Sequence, residues 1–541
     1  MNSCRIPPPP EETLRGALIM RRLRLVGFVL VAALVVACGV NPVTGKRELQ
    51  FISEAQEIEM GVRYFPLTQQ SEGGEFIVLP EISEYVSDVG QRLAAVADRE
   101  LPYEFVVLNN SVPNAWALPG GKIAINRGLL VALENEAELA AVLGHEIVHA
   151  AARHGARAQE RGTLLQAGLA IAQIGAAVGG VDSNVAGLMI GGASVGAQLI
   201  QTKYSRDQEL EADRYGMRYM KAAGYDPSAA VTLQKTFVRL AEQGGRQQSW
   251  LEGLFASHPP STERVDHNER TADELGRGGE LGVERYRAQI APLQTLQPAY
   301  DKHDRAVAAA QQEDYETATR LASEAVEALP SEGRFHQLLG DIAVSQEQYR
   351  AAIPHYEKAI ELNPDFFGSY LGGGIAQIEL GDRERGEEWL TKSLDLLPTA
   401  PAAYHLGNLA RERGERDKAL QYYKAAADSQ SSFGRRAAME LVRMELPQNP
   451  DRYVAAAAQV GPNGRVMVVV ENRAPVPITD IRVTPVLVDR GGRIVQQGAP
   501  VRISRTLAPQ ERAAGDAGIG VLPPEQLAGL RMRVDAARVA Q

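Results

Sequence analysis

Only two cysteines, Cys4 and Cys38, occur in 541 residues. No disulfide framework and no cysteine-ligated metal site can be built from them. Any metal centre must therefore use histidine and carboxylate. Histidine is scarce too, nine in all, so a cluster of it carries weight. Excess positive charge is absent. A formal net charge of -10 offers no basic footprint and argues against nucleic acid as a partner. Apolar content of 45% and charged content of 23% are those of an ordinary globular protein. The length predicts several domains rather than one.

The N-terminus has the marks of a targeting segment. Arg21, Arg22 and Arg24 follow Met20, and an unbroken apolar run follows from Leu25 to Ala37. That is a charged region and an apolar core too short for a stable bilayer span. It ends in Val35-Val36-Ala37-Cys38, which resembles a bacterial lipobox. The resemblance implies cleavage before Cys38 and lipidation of its thiol. The residues before Met20, with four consecutive prolines, suit no signal peptide, so Met20 is read as the start. Gly39 is not the aspartate associated with inner-membrane retention, which points to the outer membrane, with inner-membrane anchoring as the alternative.

Four further regions follow. From about 51 to 292 the pattern is mixed. "SEAQEIEMGVRYF" predicts a helix capped by Ser53, and "YEFVVLNN" and "GKIAINRG" predict strands. Glu134 to Gln159 predicts one long helix. Leu164 to Ile200 is rich in Ala and Gly and split at Asp182. It predicts a helical hairpin, or alternatively a lid or lipid-dipping element. Between 300 and 430 a repeat appears. Pro330, Pro364 and Pro398 are 34 residues apart, as are Gly340 and Gly374. Such a period, with small, aromatic and Pro positions, is the tetratricopeptide signature: a helix pair per repeat. In the third copy Gly407, not Asn408, takes the glycine position. From 450 to 541 β-branched and polar residues alternate, with turns at 473–475 and at 491–492. A small β-sandwich is predicted. The fold class is thus multidomain: an α+β domain, an all-α solenoid and a β-sandwich.

The chemistry lies in "VLGHEIVHAAARHG", Val142 to Gly155. Residues four apart share a helix face, so His145 and His149 can present two imidazoles to one ion. Glu146 lies beside that ion and suits a general base. In "YSRDQELEADRYG", Tyr204 to Gly216, Glu209 and Asp213 again lie four apart. A catalytic zinc takes three protein ligands and keeps one position open. His145, His149 and Glu209 make such a set. Asp213 would then bind the free N–H of a ligating histidine. His154 falls about 140° further round a continuous helix from His149, so it is read as packing against the site or supporting a ligand. His267, His303, His336, His355 and His405 are read as surface or repeat residues.

With both motifs in order, the chain resembles the zinc metallopeptidases (gluzincins) related to HtpX and the CAAX prenyl protease. "NPVTGKRELQFISEAQEIEMG" and "NAWALPGGKIAINRGLL" are similar to the family's periplasmic, lipoprotein-like branch. With a tetratricopeptide array behind, the subfamily most resembled is that of the β-barrel assembly-enhancing proteases. The resemblance implies one zinc ion per chain on His145, His149 and Glu209, with Glu146 as base. It implies that His258 can occupy the open metal position and keep the enzyme latent, and that Arg264 stabilises the reacting carbonyl. It implies that Ile123, Ala124 and Ile125 form an edge strand on which substrate is added, with Gly120 and Gly121 allowing close backbone approach. The domains expected are a signal peptide (1–37), a lipidated N-terminus and linker (38–50), the metallopeptidase (51–292), the repeats (300–430) and the sandwich (450–541). The function expected is endoproteolysis of misfolded or stalled envelope proteins on the periplasmic face of the outer membrane. The repeats would dock clients or assembly machinery. The alternative is a chaperone or scaffold with a latent peptidase.

Overall fold

The computed structural model describes residues 38–162, 204–243, 258–489 and 491–540. The expected signal peptide and the Gly/Ala segment 164–200 lie outside the described residues. The chain divides into two units, Met1–Phe335 and His336–Gln541.

In the first unit, residues 38–50 are not the linker expected. They form a hairpin of β1 (Cys38–Val40) and β2 (Arg47–Leu49). Asn41 fastens it. Its Nδ2 donates to the Ala152 carbonyl at 3.0 Å, and its Oδ1 accepts from the N–H groups of Val43 and Thr44. Burial of Val43 in the main core adds a hydrophobic peg. Ser53 and Gln56 then form a capping box that starts α1 (Glu54–Ser71), and α2 (Pro80–Ala94) follows with proline in its first turn.

Three strands come next: β3 (Glu104–Leu108), β4 (Ala115–Leu118) and β5 (Lys122–Asn126). β5 lies in the middle, parallel to β3 and antiparallel to β4. Ile123, Ala124 and Ile125 are therefore not an edge. Both sides of their backbone are paired and their side chains are buried. The edge beside the metal-site helix is β4. Gly120 and Gly121 turn the chain between β4 and β5 with φ of 81° and 86°. A Cβ on Gly120 would stand 2.7 Å from Ile58 Cα, so the close approach is real but is made to α1.

After α3 (Arg127–Ala132) comes α4 (Glu136–Ala151), capped by the Asn135 side chain, which accepts from the Glu138 N–H. Every residue of α4 is buried. The single helix expected to run on to Gln159 breaks where Arg153 takes the left-handed φ of 61°, and helix resumes at His154. Buried ion pairs from Arg153 to Glu57 and Glu160 hold that break. Beyond the undescribed segment, Ser205 and Gln208 box the start of α5 (Arg206–Ala222). α6 (Ser228–Gln243) and α7 (Thr262–Leu275) complete the site's frame.

The domain boundary expected between 292 and 300 is absent. α8 (Val283–Gln311) runs through both Pro292 and Pro298. Ile290, Leu293, Ala299 and Tyr300 all join one core, and that packing offsets the hydrogen bonds the prolines remove. α9 (Tyr315–Ala328) pairs with it.

Helix pairs continue as α10 (Gly333–Ser345) with α11 (Tyr349–Leu362), α12 (Phe367–Glu379) with α13 (Arg383–Leu396), and α14 (Ala400–Glu412) with α15 (Arg416–Ala427). A Cβ on Gly340 would meet the Tyr356 ring at 2.9 Å, on Gly374 Leu390 at 2.8 Å, and on Gly407 the Tyr423 ring at 2.8 Å. Gly407 thus fills the small position of its repeat. One more helix, α16 (Ser432–Glu445), extends beyond the expected end of the array.

The tail forms two antiparallel sheets. One joins β6 (Val454–Val460), β7 (Val466–Asn472) and β11 (Arg512–Asp516). The other joins β8 (Ile478–Val488), β9 (Ile494–Gln497), β10 (Val501–Ile503) and β12 (Leu530–Val539). Val466, Val468 and Val470 of the first share a core with Ile481 and Val483 of the second. This is the sandwich expected. Among the described residues no helix is long and apolar enough to cross a membrane.

Candidate metal centre

α4 and α5 meet at two glycines. A Cβ on Gly216 would stand 2.9 Å from His145 N, and a Cβ on Gly144 would stand 3.1 Å from Gly216 O. Glycine inside a helix costs roughly 0.5–1 kcal/mol against alanine. Here it lets two backbones touch, which brings His145 and His149 of α4 up to Glu209 and Asp213 of α5.

Four ligand atoms, from His145, His149, Glu209 and His258, lie within 4.8 Å of one another. His149 Nε2 is 2.9 Å from His145 Nε2, and His258 Nδ1 is 3.2 Å from His145 Nε2. Glu209 Oε1 stands 3.1 Å from His258 Nδ1 and 3.5 Å from His149 Nε2, and Oε2 stands 3.6 Å from His145 Nε2. All four residues are buried. Among the described residues, two further buried atoms, Glu146 Oε2 and His258 Nε2, have no hydrogen-bond partner. Three imidazoles and one carboxylate aimed at a common point are the donor set of a zinc site, and the residues fit such an ion.

The electrostatics follow from burial among charges. Burial acts to raise the Glu209 carboxyl, but His258 and His145 outweigh it and hold it well below the usual range. The Glu146 carboxyl is pushed up by burial despite His258 and His145. Burial pushes His149 well down. It opposes protonation of His258 as well, yet the carboxylates of Glu209 and Glu146 raise that ring overall.

Each α4 ligand has its own support. His145 Nδ1 meets Asp213 Oδ1 at 2.9 Å. Asp213 accepts two bonds from Arg264, each 2.7 Å. Burial opposes the Asp213 charge, but Arg264 and then His145 lower its pKa. Arg264 also reaches Glu209 Oε2 at 2.8 Å and donates to the Pro259 carbonyl at 3.3 Å. Three of these contacts are hydrogen bonds, from Nε, Nη1 and Nη2, and the one to Glu209 is an ion pair. In this arrangement Arg264 clamps Asp213 and the ligand Glu209.

His149 is supported by residues that sequence reasoning placed loosely or missed. Its Nδ1 lies 2.8 Å from His154 Nδ1, and Tyr204 stacks on its ring with centroids 3.7 Å apart. The break at Arg153 swings His154 back, which a continuous helix forbids. Tyr204 opens the second motif, and its position there was the available signal. A cavity of about 50 Å³ adjoins Glu146 between α4 and α6, walled by Val142, Met217, Leu233 and Phe237.

Residues 80–272 match the family model of peptidase family M48, and residues 340–381 and 400–433 match models of the tetratricopeptide repeat. The β-barrel assembly-enhancing protease of Yersinia pestis is 31% identical over 226 residues, which are 41% of this chain and 45% of that protein. The Escherichia coli K12 protein of the same name is 26% identical over 60% of this chain and 72% of its own length. Metalloprotease YcaL of Escherichia coli K12 is 34% identical over 194 residues, which are 35% of this chain and 71% of YcaL. The chain thus spans less than half of the Yersinia relative but more than two thirds of YcaL. Its motifs, its metal-site geometry and these matches agree that the chain belongs to peptidase family M48.

Proposed function

We propose that the chain is a zinc-dependent endopeptidase of the bacterial cell envelope that removes misfolded or stalled outer-membrane proteins. The observation that carries this reading is the convergence of His145, His149 and Glu209 beside a buried Glu146 whose Oε2 has no hydrogen-bond partner among the described residues. When bound, zinc supplies Lewis acidity at the scissile carbonyl and acidifies a water. Glu146 takes the proton of the attacking water at Oε2 and returns it to the leaving amine. Asp213 and Arg264 hold His145 and Glu209 in place. Substrate lies extended along β4, an edge strand packed on α4. An apolar side chain enters the cavity beside Glu146. Backbone pairing of this kind gives loose sequence preference.

The repeats dock clients or assembly machinery, in keeping with the names of the relatives. Lipidation of Cys38 holds the protein on the periplasmic face of the outer membrane. His258 favours the second reading, a scaffold with a latent peptidase, because its Nδ1 already stands among the ligand atoms. It fills the position that water and substrate need.

Glu146→Gln is expected to keep one zinc per chain and lose casein cleavage by about 100- to 10,000-fold. Undiminished cleavage would sink the mechanism. His258→Ala is expected to raise basal cleavage. If it stays flat, the gate is wrong.

A further inference from the structure

His145 has a carboxylate support, Asp213. Here a second support is built from different chemistry. His154 is fully buried, 0% exposed. Its Nδ1 faces His149 Nδ1 at 2.8 Å, and its Nε2 faces Glu211 Oε1 at 3.4 Å. Glu211 in turn stands 3.7 Å from the Lys46 ammonium on the N-terminal hairpin.

Two ring nitrogens at hydrogen-bond distance cannot both carry a proton. His149 Nε2 points among the ligand atoms, so its proton belongs on Nδ1. His154 Nδ1 must then accept, which leaves the His154 proton on Nε2, where Glu211 accepts it. One tautomer of each ring satisfies every contact in the row.

We propose that His154, held in one tautomer by Glu211, is a positioning residue that orients His149 for the metal. The reading rests on the proposed zinc site. It extends the ligand set to a row of four side chains that ends on the hairpin of residues 38–49. His145 is braced by a carboxylate, whereas His149 is braced by a neutral ring. His154 Nδ1 can accept only in the tautomer whose proton sits on Nε2, the nitrogen that faces Glu211, so Glu211 favours that tautomer without being its sole cause. Loss of such supports typically weakens metal binding by about 10- to 100-fold.

The test is zinc affinity of the full chain, by competition with a chromophoric chelator well below the unfolding temperature of each zinc-free variant. His154→Leu keeps the volume and removes the acceptor. His154→Asn places an amide oxygen near the lost Nδ1. The expected result is about 10- to 100-fold weaker zinc binding for His154→Leu, substantial recovery in His154→Asn, and an intermediate loss in Glu211→Ala. The visible spectrum of the cobalt-loaded protein should change in His154→Leu and revert in His154→Asn. Wild-type zinc affinity in His154→Leu overturns the proposal, as does equal weakening in Leu and Asn with an unchanged cobalt spectrum. A wild-type chain that binds no zinc would instead overturn the proposed function itself.

Discussion

Two regions of the molecule use the same device for different ends. In the metal site, Gly144 and Gly216 let α4 and α5 touch backbone to backbone. In the array, Gly340, Gly374 and Gly407 each make room for a side chain of the next helix: Tyr356, Leu390 and Tyr423. The first contact is rigid on both sides. The second has a side chain on one side, which can turn aside. The difference lies in what each crossing must hold. Ligand atoms have to converge within tenths of an ångström, whereas a solenoid tolerates small shifts passed along its repeats.

Breaking the rigid crossing should have the largest effect. Gly216→Val would push against His145 N and Gly144 C, where an added Cβ would already lie 2.9 and 3.0 Å away. Backbone cannot rotate aside, so the helices must separate. A displacement near 1 Å costs on the order of 100-fold in catalysis. The expected outcome is loss of tight zinc binding together with loss of casein cleavage, read by zinc stoichiometry and a digestion assay. Retained zinc affinity would mean that the crossing does not set ligand geometry.

Gly407→Val sharpens the same comparison from the softer side. The Tyr423 ring has to move, and overpacking of this kind costs typically 1–3 kcal/mol. The melting of the repeat region should fall while zinc affinity stays at the wild-type value. Calorimetry with and without chelator separates the two. If zinc affinity drops with Gly407→Val, the two crossings are coupled and the contrast fails.

The array was the more legible region, because a 34-residue period repeats its own spacing and corrects itself, as at Gly407. The cluster of candidate ligands was legible too. Residues four apart on a helix need only local geometry, and two such pairs name their partners. What the pattern hid depends on breaks and pairings. The left-handed Arg153 has no strong local signal, so His154 projected away from His149. The middle place of β5 follows from β3 lying parallel across it, a long-range pairing that the alternation of Ile123, Ala124 and Ile125 does not reveal. Pro292 and Pro298 read as a boundary, yet the core that buries Ile290, Leu293 and Tyr300 keeps α8 whole. The engagement of Arg264 with Asp213 and Glu209 likewise appears only once α5 and α7 are side by side.

A smaller effect is expected where α8 begins. Glu136, at the start of α4, accepts from the hydroxyls of Tyr85 and Tyr225 at 2.8 Å each, and from Arg285 Nη2 at 2.6 Å. Burial alone would raise its pKa, but Arg285 and the two tyrosines outweigh burial and hold it below the usual range. A carboxyl lowered on folding adds stability above its unfolded value of about 4.3 and loses it as pH falls through the folded value. Arg285→Met removes the main opposing charge and so raises the folded pKa. The stability lost should be largest near pH 7, kept modest there because Arg285 is 44% exposed, and should shrink as pH falls through the folded pKa. Circular dichroism from pH 6 to about pH 3 reads that trend. At the Gly407 crossing the Tyr423 hydroxyl donates to Asn408, an amide rather than a carboxylate, so Gly407→Val should lower stability about equally across that range. An equal loss at all pH values in Arg285→Met would show that the contact at α4 is packing rather than charge.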